Sequence, residues 1–234
     1  MMNPLAVRCC AEAARNPVRG RGAIDRIGQK LRLALDRPVL IWWSVNARLS
    51  PLRHLRLQLE ARLHGGTVTC APSALIMHRT RFQGQGRLVV SDHASFGYPL
   101  AGQGRSEILI QPRDPGSEIR IGEGSAIMNG SELMARTSIA IGQHCRIGPA
   151  TLIVDSDFHG ISPDERDLPG RSEPVVIGDN VWTGTRVTIL KGVTIGRDTI
   201  VAAATVVTKD VPEGAIAAGN PMRIVGSAYG PRSE

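Results

Sequence analysis

Aromatic residues are scarce in this 234-residue chain: Phe, Tyr and Trp together make up 3% of it. Aromatic side chains each bury roughly 150–250 Å² and usually dominate a core, so burial here must rest on stacked aliphatic residues. Paired cysteines are missing as well. Cys9, Cys10, Cys70 and Cys145 follow no metal-ligand spacing, and the adjacent Cys9 and Cys10 are poorly placed to bond each other. A disulfide framework is excluded, and a reducing, cytoplasmic setting is expected. No apolar run approaches the length of about 20 residues that a spanning helix needs. The N-terminus also lacks the continuous apolar stretch of a secretory signal.

What is present is a six-residue repeat. Ile177, Thr183, Ile189, Ile195, Val201 and Val207 open six consecutive hexads, and the fifth residues are Val, Val, Val, Thr, Thr and Val. The same phase picks out Ile141, Ile147 and Ile153, with Cys145 and Thr151 in fifth place. A further triplet is Ile121, Ile127 and Leu133, with Ser125, Ser131 and Thr137. These two triplets are out of step by two residues around Ile139, which reads as a corner bulge. Val90 and Phe96 fit one more pair, whereas 68–86 fits poorly, so the repeat begins between 67 and 90. A period of six is neither helical nor plainly extended. It suits a short strand, a corner, and a return to the same side of a prism, with three units, about 18 residues, closing one coil. The 26 glycines and 15 prolines serve such corners. The expected fold is mainly β, a parallel β-helix over 67–226, preceded by a helical segment over 1–66 and followed by a tail over 227–234.

Charge divides the chain at the same boundary. Residues 1–66 hold 12 Lys and Arg against 4 Asp and Glu, a net of +8, while 67–234 hold 16 against 17, a net of −1. The basic segment has helical spacing. Ile24, Ile27, Leu31 and Leu35 share one face, and Leu52, Leu55, Leu59 and Leu63 share another after a Ser50-Pro51 start and before a Gly65-Gly66 stop. Between them lies VLIWWSV, residues 39–45, flanked by Arg37 and Arg48. Paired Trp among Arg fits peripheral contact with an anionic membrane. The competing reading is a helical subdomain whose Trp pair packs on the β-helix or on a neighbouring subunit. Basic residues interleaved with leucine, on no recognisable nucleic-acid motif, argue against nucleic acid as partner.

The repeat breaks between Ile153 and Ile177. The intervening loop, 154–176, reads VDSDFHGISPDERDLPGRSEPVV and holds one histidine, His159, close to Asp155 and Asp157. A long polar insertion in a rigid coil is a usual place for function. A carboxylate beside an imidazole can orient it and raise its basicity near neutral pH.

From 155 to 225, the runs DSDFHG, IGDNVWTGTRVTILKGVTIG, VVTKDVP and AAGNPMRIV resemble the maltose, galactoside and capsular-polysaccharide O-acetyltransferases of the hexapeptide-repeat superfamily. The resemblance covers about half of the chain, from about 117 to 226. It implies a left-handed β-helix, homotrimers, acetyl-CoA as co-substrate and no metal. It also implies His159 as general base, Asn129 near the acceptor, and the Thr185 amide as oxyanion donor. Asp155 and Asp157 would bind the acceptor. Coenzyme A would run past Trp182, Gly184, Ala203 and Ala204 towards Thr208, Lys209 and Arg223. The acceptor expected is a sugar hydroxyl of a polysaccharide, glycan or lipid-linked precursor. Alternatives are a small amine or alcohol, such as a nucleotide-linked amino sugar, serine or an antibiotic, and a scaffold without catalysis. A γ-type carbonic anhydrase needs three zinc-binding histidines, and only His144 and His159 lie in or beside the well-phased coils. A nucleotidyltransferase is excluded because no Gly-rich phosphate loop precedes the coil.

Overall fold

The computed structural model describes residues 38–98 and 106–230, and side chains from Val45 onward. The stripe Ile24 to Leu35, the Cys9-Cys10 pair, the Trp42-Trp43 side chains and the last four residues of the tail lie outside the described residues. The chain forms two compact units, Met1–Ser44 and Val45–Glu234, and the second is the subject below.

Three parallel sheets of short strands form the walls of a prism. The first coil runs Thr67–Cys70, Leu75–Ile76 and Thr80–Phe82, and each of its strands ends one sheet. Successive coils add one strand to every sheet, so that Ile121 pairs with Ile141, Ile141 with Ile177, and Ile177 with Ile195. The hexad first positions become an axial stack: Ile127, Ile147, Thr183 and Val201 are each fully buried, as are Leu133, Ile153, Ile189 and Val207. Fifth positions take small residues because they sit under the corner of the next coil. Where these are hydroxyls they satisfy its carbonyls, as Ser125 Oγ does with Gly142 O at 2.7 Å and Thr199 Oγ1 with Pro212 O at 3.0 Å. Cys145 fills such a slot, fully buried, with its thiol on Gly178 O. The prism ends on Ala215–Ala218, against which Arg223–Ser227 returns antiparallel.

One detail of the coils differs from the sequence reading. The phase shift near Ile139 is an extension of two strands and not a bulge. Glu132–Ala135 and Ser138–Ile141 each carry two inward residues, Leu133 with Ala135 and Ile139 with Ile141, around a corner at 136–137. Thr137 is therefore an exposed corner residue and fills no fifth position. The coil begins at Thr67, at the lower bound of the expected range, with Phe82 and Phe96 buried in its first two turns.

Helix α1 (Pro38–His64) closes the first coil. It runs straight through Ser50-Pro51, where a start was expected, because Ser50 is committed elsewhere: its Oγ accepts the Ile76 N–H at 2.8 Å. Arg53 donates to Ile76 O, and Glu60 Oε2 accepts the Phe82 N–H at 3.0 Å. These groups belong to strands with no outer neighbour, so the helix satisfies an otherwise open edge. Leu57 and Ala61 bury beneath it. The helix stops where expected, with Gly65 at φ +82° and Gly66 N–H on Ala61 O. Removing the Ser50 hydroxyl leaves a buried amide unpaired, so Ser50→Ala lowers stability by about 1–3 kcal/mol, measured as a fall in thermal midpoint. An unchanged midpoint would show that this bond does not hold the cap.

Candidate functional site

The prism has three edges, and the candidate residues occupy two of them. Asn129, Pro149, Thr185 and Ala203 are stacked on the edge that follows the second sheet. Ala150 N–H donates to Asn129 O, Arg186 N–H to Pro149 O, and Ala204 N–H to Thr185 O, each between 2.8 and 3.0 Å. This column must be narrow. A Cβ on Gly148 would lie 2.2 Å from Gly184 O, and one on Gly184 would lie 2.6 Å from Ala203 N. Gly184 is thus required by close stacking of the corners. At Thr185 the hydroxyl donates to Pro149 O at 3.1 Å, while the backbone N–H donates to no group of the described residues. Trp182 lies on the adjoining sheet, flush between Arg146 and Ile200 in neighbouring strands, and is 54% exposed.

Asn129 is placed differently from what an acceptor contact would need. It is buried, its Oδ1 accepts the Tyr98 N–H at 3.0 Å, and its Nδ2 donates to Tyr98 O at 3.1 Å. A side-chain amide that pairs with both backbone groups of one residue acts like a strand, and here it holds the root of a second interruption, residues 97–107. That interruption was not singled out from the sequence, although Gly97, Pro99, Gly102 and Gly104 punctuate it.

The loop 154–176 leaves the edge that follows the third sheet, where Thr208 and Lys209 also lie two coils on. Its two arms are zipped together: Ser156 bridges Ser172, and Glu173 N–H donates to Asp155 O at 2.8 Å. Asp155 is fully buried at the base. Its carboxylate accepts from Arg136 N–H, Thr137 N–H and Thr137 Oγ1, all at 2.7 Å. It therefore fastens the loop to the corner made by the two-residue extension. Asp157 faces Lys191 at 3.2 Å through Oδ1, while its Oδ2 is buried without a partner.

Neither carboxylate orients His159, contrary to the expectation from its neighbours in sequence. Its Nδ1 lies 2.9 Å from the carbonyl of Arg166, at the end of a short 3-10 turn, Pro163–Glu165. A carbonyl can only accept, so Nδ1 is the donor, and in the neutral ring Nε2 is the nitrogen that holds the lone pair. Phe158, just before it, has φ +62°, a left-handed conformation that few side chains tolerate. Its N–H is held by Ser156 Oγ at 2.9 Å, and the Arg113 guanidinium sits 4.9 Å from its ring centroid. Gly170 packs against the turn so closely that a Cβ would meet His159 O at 2.3 Å. Exposed but fixed, His159 is the best-formed proton acceptor of the loop. The partner that fixes it, a backbone carbonyl seven residues away, leaves no signal in side-chain identity.

Lys209 and Arg223 come together in one shallow cleft with Asp210, Pro221 and Met222 at the end of the prism. His144 is on the remaining edge, away from the His159 loop. Burial pushes the Cys70 thiol up to about 11 and raises that of Cys145 too, so neither offers a thiolate nucleophile at neutral pH.

Residues 174–209 match the family described as bacterial transferase hexapeptide (six repeats). Two galactoside O-acetyltransferases are similar. That of Lactococcus lactis is 34% identical over 110 residues, covering 47% of this chain and 53% of its own. That of Escherichia coli is 35% identical over 115 residues, covering 47% and 54%. The crystal structure of the polySia specific acetyltransferase NeuO aligns with a TM-score of 0.59 at 22% identity, over 72% of this chain and 76% of that one, a likeness of fold. The chain spans about half the length of these two curated relatives. Repeat and fold together are those of the left-handed parallel β-helix.

Proposed function

We propose that this chain, whose residues 174–209 match the bacterial transferase hexapeptide family, transfers acetyl from acetyl-CoA to a sugar hydroxyl, with His159 as general base. The observation that carries this reading is the His159–Arg166 contact at 2.9 Å, which holds the ring through Nδ1 and leaves Nε2 without a hydrogen-bond partner among the described residues, on an exposed loop. A sugar hydroxyl has a pKa far above 7, so its proton must leave as its oxygen attacks the thioester carbonyl. His159 Nε2 takes that proton. The uncommitted Thr185 N–H is suited to the oxyanion of the tetrahedral intermediate. When the C–S bond breaks, the imidazolium returns the proton to the departing thiolate, so the products are the acetyl ester and free coenzyme A. No enzyme nucleophile is needed, in keeping with the raised thiol pKa values.

Coenzyme A is long and ends in phosphates. The small Ala203 and Ala204 allow the pantetheine arm to approach the coil, the exposed Trp182 offers a flat apolar wall, and the cleft holding Lys209 and Arg223 supplies the cations. Thr208 stands beside Lys209 on the same edge. For the acceptor, Asp157 is the carboxylate with an unpaired oxygen, whereas Asp155 and Asn129 support the two loops. His159 and Thr185 arise from different edges of the prism. Association of copies that sets one edge against its neighbour's other edge would bring them together, and a homotrimer is the closed form that this reading adopts.

The test is thiol release from acetyl-CoA with the full chain across sugars, oligosaccharides, nucleotide sugars, serine and aminoglycosides. Release with sugar hydroxyls alone supports the proposal. Preference for an amine or for serine overturns the acceptor class. Absence of release with every acceptor, together with no rise in thermal midpoint on adding acetyl-CoA, leaves a scaffold.

A further inference from the structure

Helix α1 caps the coil with one face, and no other described residue covers the opposite face. Val45, Leu49, Leu52, Leu59 and Leu63 recur at steps of four, three, seven and four, which is one stripe of an α-helix. All are exposed, Leu52 to 65% and Leu63 to 85%, and Leu55 flanks them at 54%. Exposed leucines scattered singly call for no explanation, but a contiguous stripe of six large apolar side chains does. The residues that hold the helix to the coil, Ser50, Leu57 and Ala61, are on the other side, so the bare stripe faces away from the first coil.

Charge decides what covers it. Arg48, Arg56 and Arg62 are interspersed with the leucines, and all are exposed. Glu60 is the one acidic residue of the helix, and it is engaged by Arg56 at 2.7 Å and by the Phe82 N–H. The helix belongs to the segment 1–66, whose net charge is +8 against −1 for the rest of the chain. A second copy would bring a stripe of the same sign and meet it with repulsion. A surface that accepts leucine below and arginine above, and that carries negative charge, is an anionic bilayer: apolar side chains enter the acyl boundary while the guanidiniums stay at the headgroups. No described helix is long and apolar enough to cross a membrane, so the contact is along the surface. We propose that the Val45–Leu63 face of helix α1 docks this protein on an anionic phospholipid bilayer. The proposal is independent of the acetyl-transfer reading.

The full chain is sedimented with vesicles of mixed phosphatidylcholine and phosphatidylglycerol, and separately with phosphatidylcholine alone. The expected result is pelleting with the mixed vesicles that weakens as salt screens the arginines. The variant Leu52→Glu/Leu59→Glu/Leu63→Glu changes only exposed positions. It is expected to keep the wild-type thermal midpoint and to lose about tenfold or more of the partitioning, given that three apolar insertions are removed. Failure of the full chain to pellet, equal pelleting with phosphatidylcholine alone, or unimpaired pelleting of the variant each overturns the proposal. So does a smaller particle mass for the variant by light scattering, which would mean that copies of the chain cover the stripe. Thiol release with a soluble acceptor is measured on the same variant and is expected to be unchanged, which separates failure here from failure of the catalytic reading.

Discussion

Replacing His159 with alanine is expected to lower kcat for acetyl transfer by between about a hundredfold and ten-thousandfold, the range for loss of a positioned general base. The KM for acetyl-CoA should change little, since the candidate phosphate contacts, Lys209 and Arg223, are in a separate cleft. The folded state should also persist, because His159 is exposed and its single side-chain bond is to a carbonyl that water can serve. Acetyl transfer that is undiminished in the variant would remove His159 from the mechanism.

The second large effect is structural. Asp155→Ala deletes a fully buried carboxylate that serves three donors at the 136–137 corner. Unpaired buried donors cost on the order of 1–3 kcal/mol each. Allowing for relaxation, the expected loss is about 3 kcal/mol, or roughly 6–12 °C in thermal midpoint for a protein of this size. The same change frees the base of the loop that carries His159, so kcat should fall with stability. Asp155→Asn keeps one accepting oxygen and should lie between wild type and alanine on both measures. If Asp155→Ala melts with the wild type, the carboxylate is not what anchors the loop.

Much of this was legible before any coordinates. Hydrophobic side chains at a strict period of six have one way to be buried together, and from Ile121 onward every first position of the repeat lies on the axis of the prism. The first coil was harder to read because its core mixes Phe82 with Ile76 and because the step from Phe82 to Val90 breaks the period of six. The site was partly legible. The break in register located the His159 loop, and the family resemblance pointed to the TGT and AAA corners. Proximity in sequence misled about the roles of the acids. Asp155 and Asp157 stand four and two residues from His159, yet one is a buried anchor and the other pairs with Lys191. Asn129, at an attractive spacing, is taken up by Tyr98. Leucine occupies both sides of helix α1, so spacing alone marked a stripe at Leu52, Leu55, Leu59 and Leu63 without saying that it faces outward.

The division has a physical cause. Axial packing repeats identically in each coil, so a local pattern of apolar residues suffices to specify the parallel β-helix and the place where it is interrupted. Functional placement depends on hydrogen bonds that close across long separations, Arg166 O to His159, the 136–137 corner to Asp155, Tyr98 to Asn129, and α1 to the free edge of the first coil. Their backbone groups are carried alike by every residue type, and only the assembled prism brings those partners within reach.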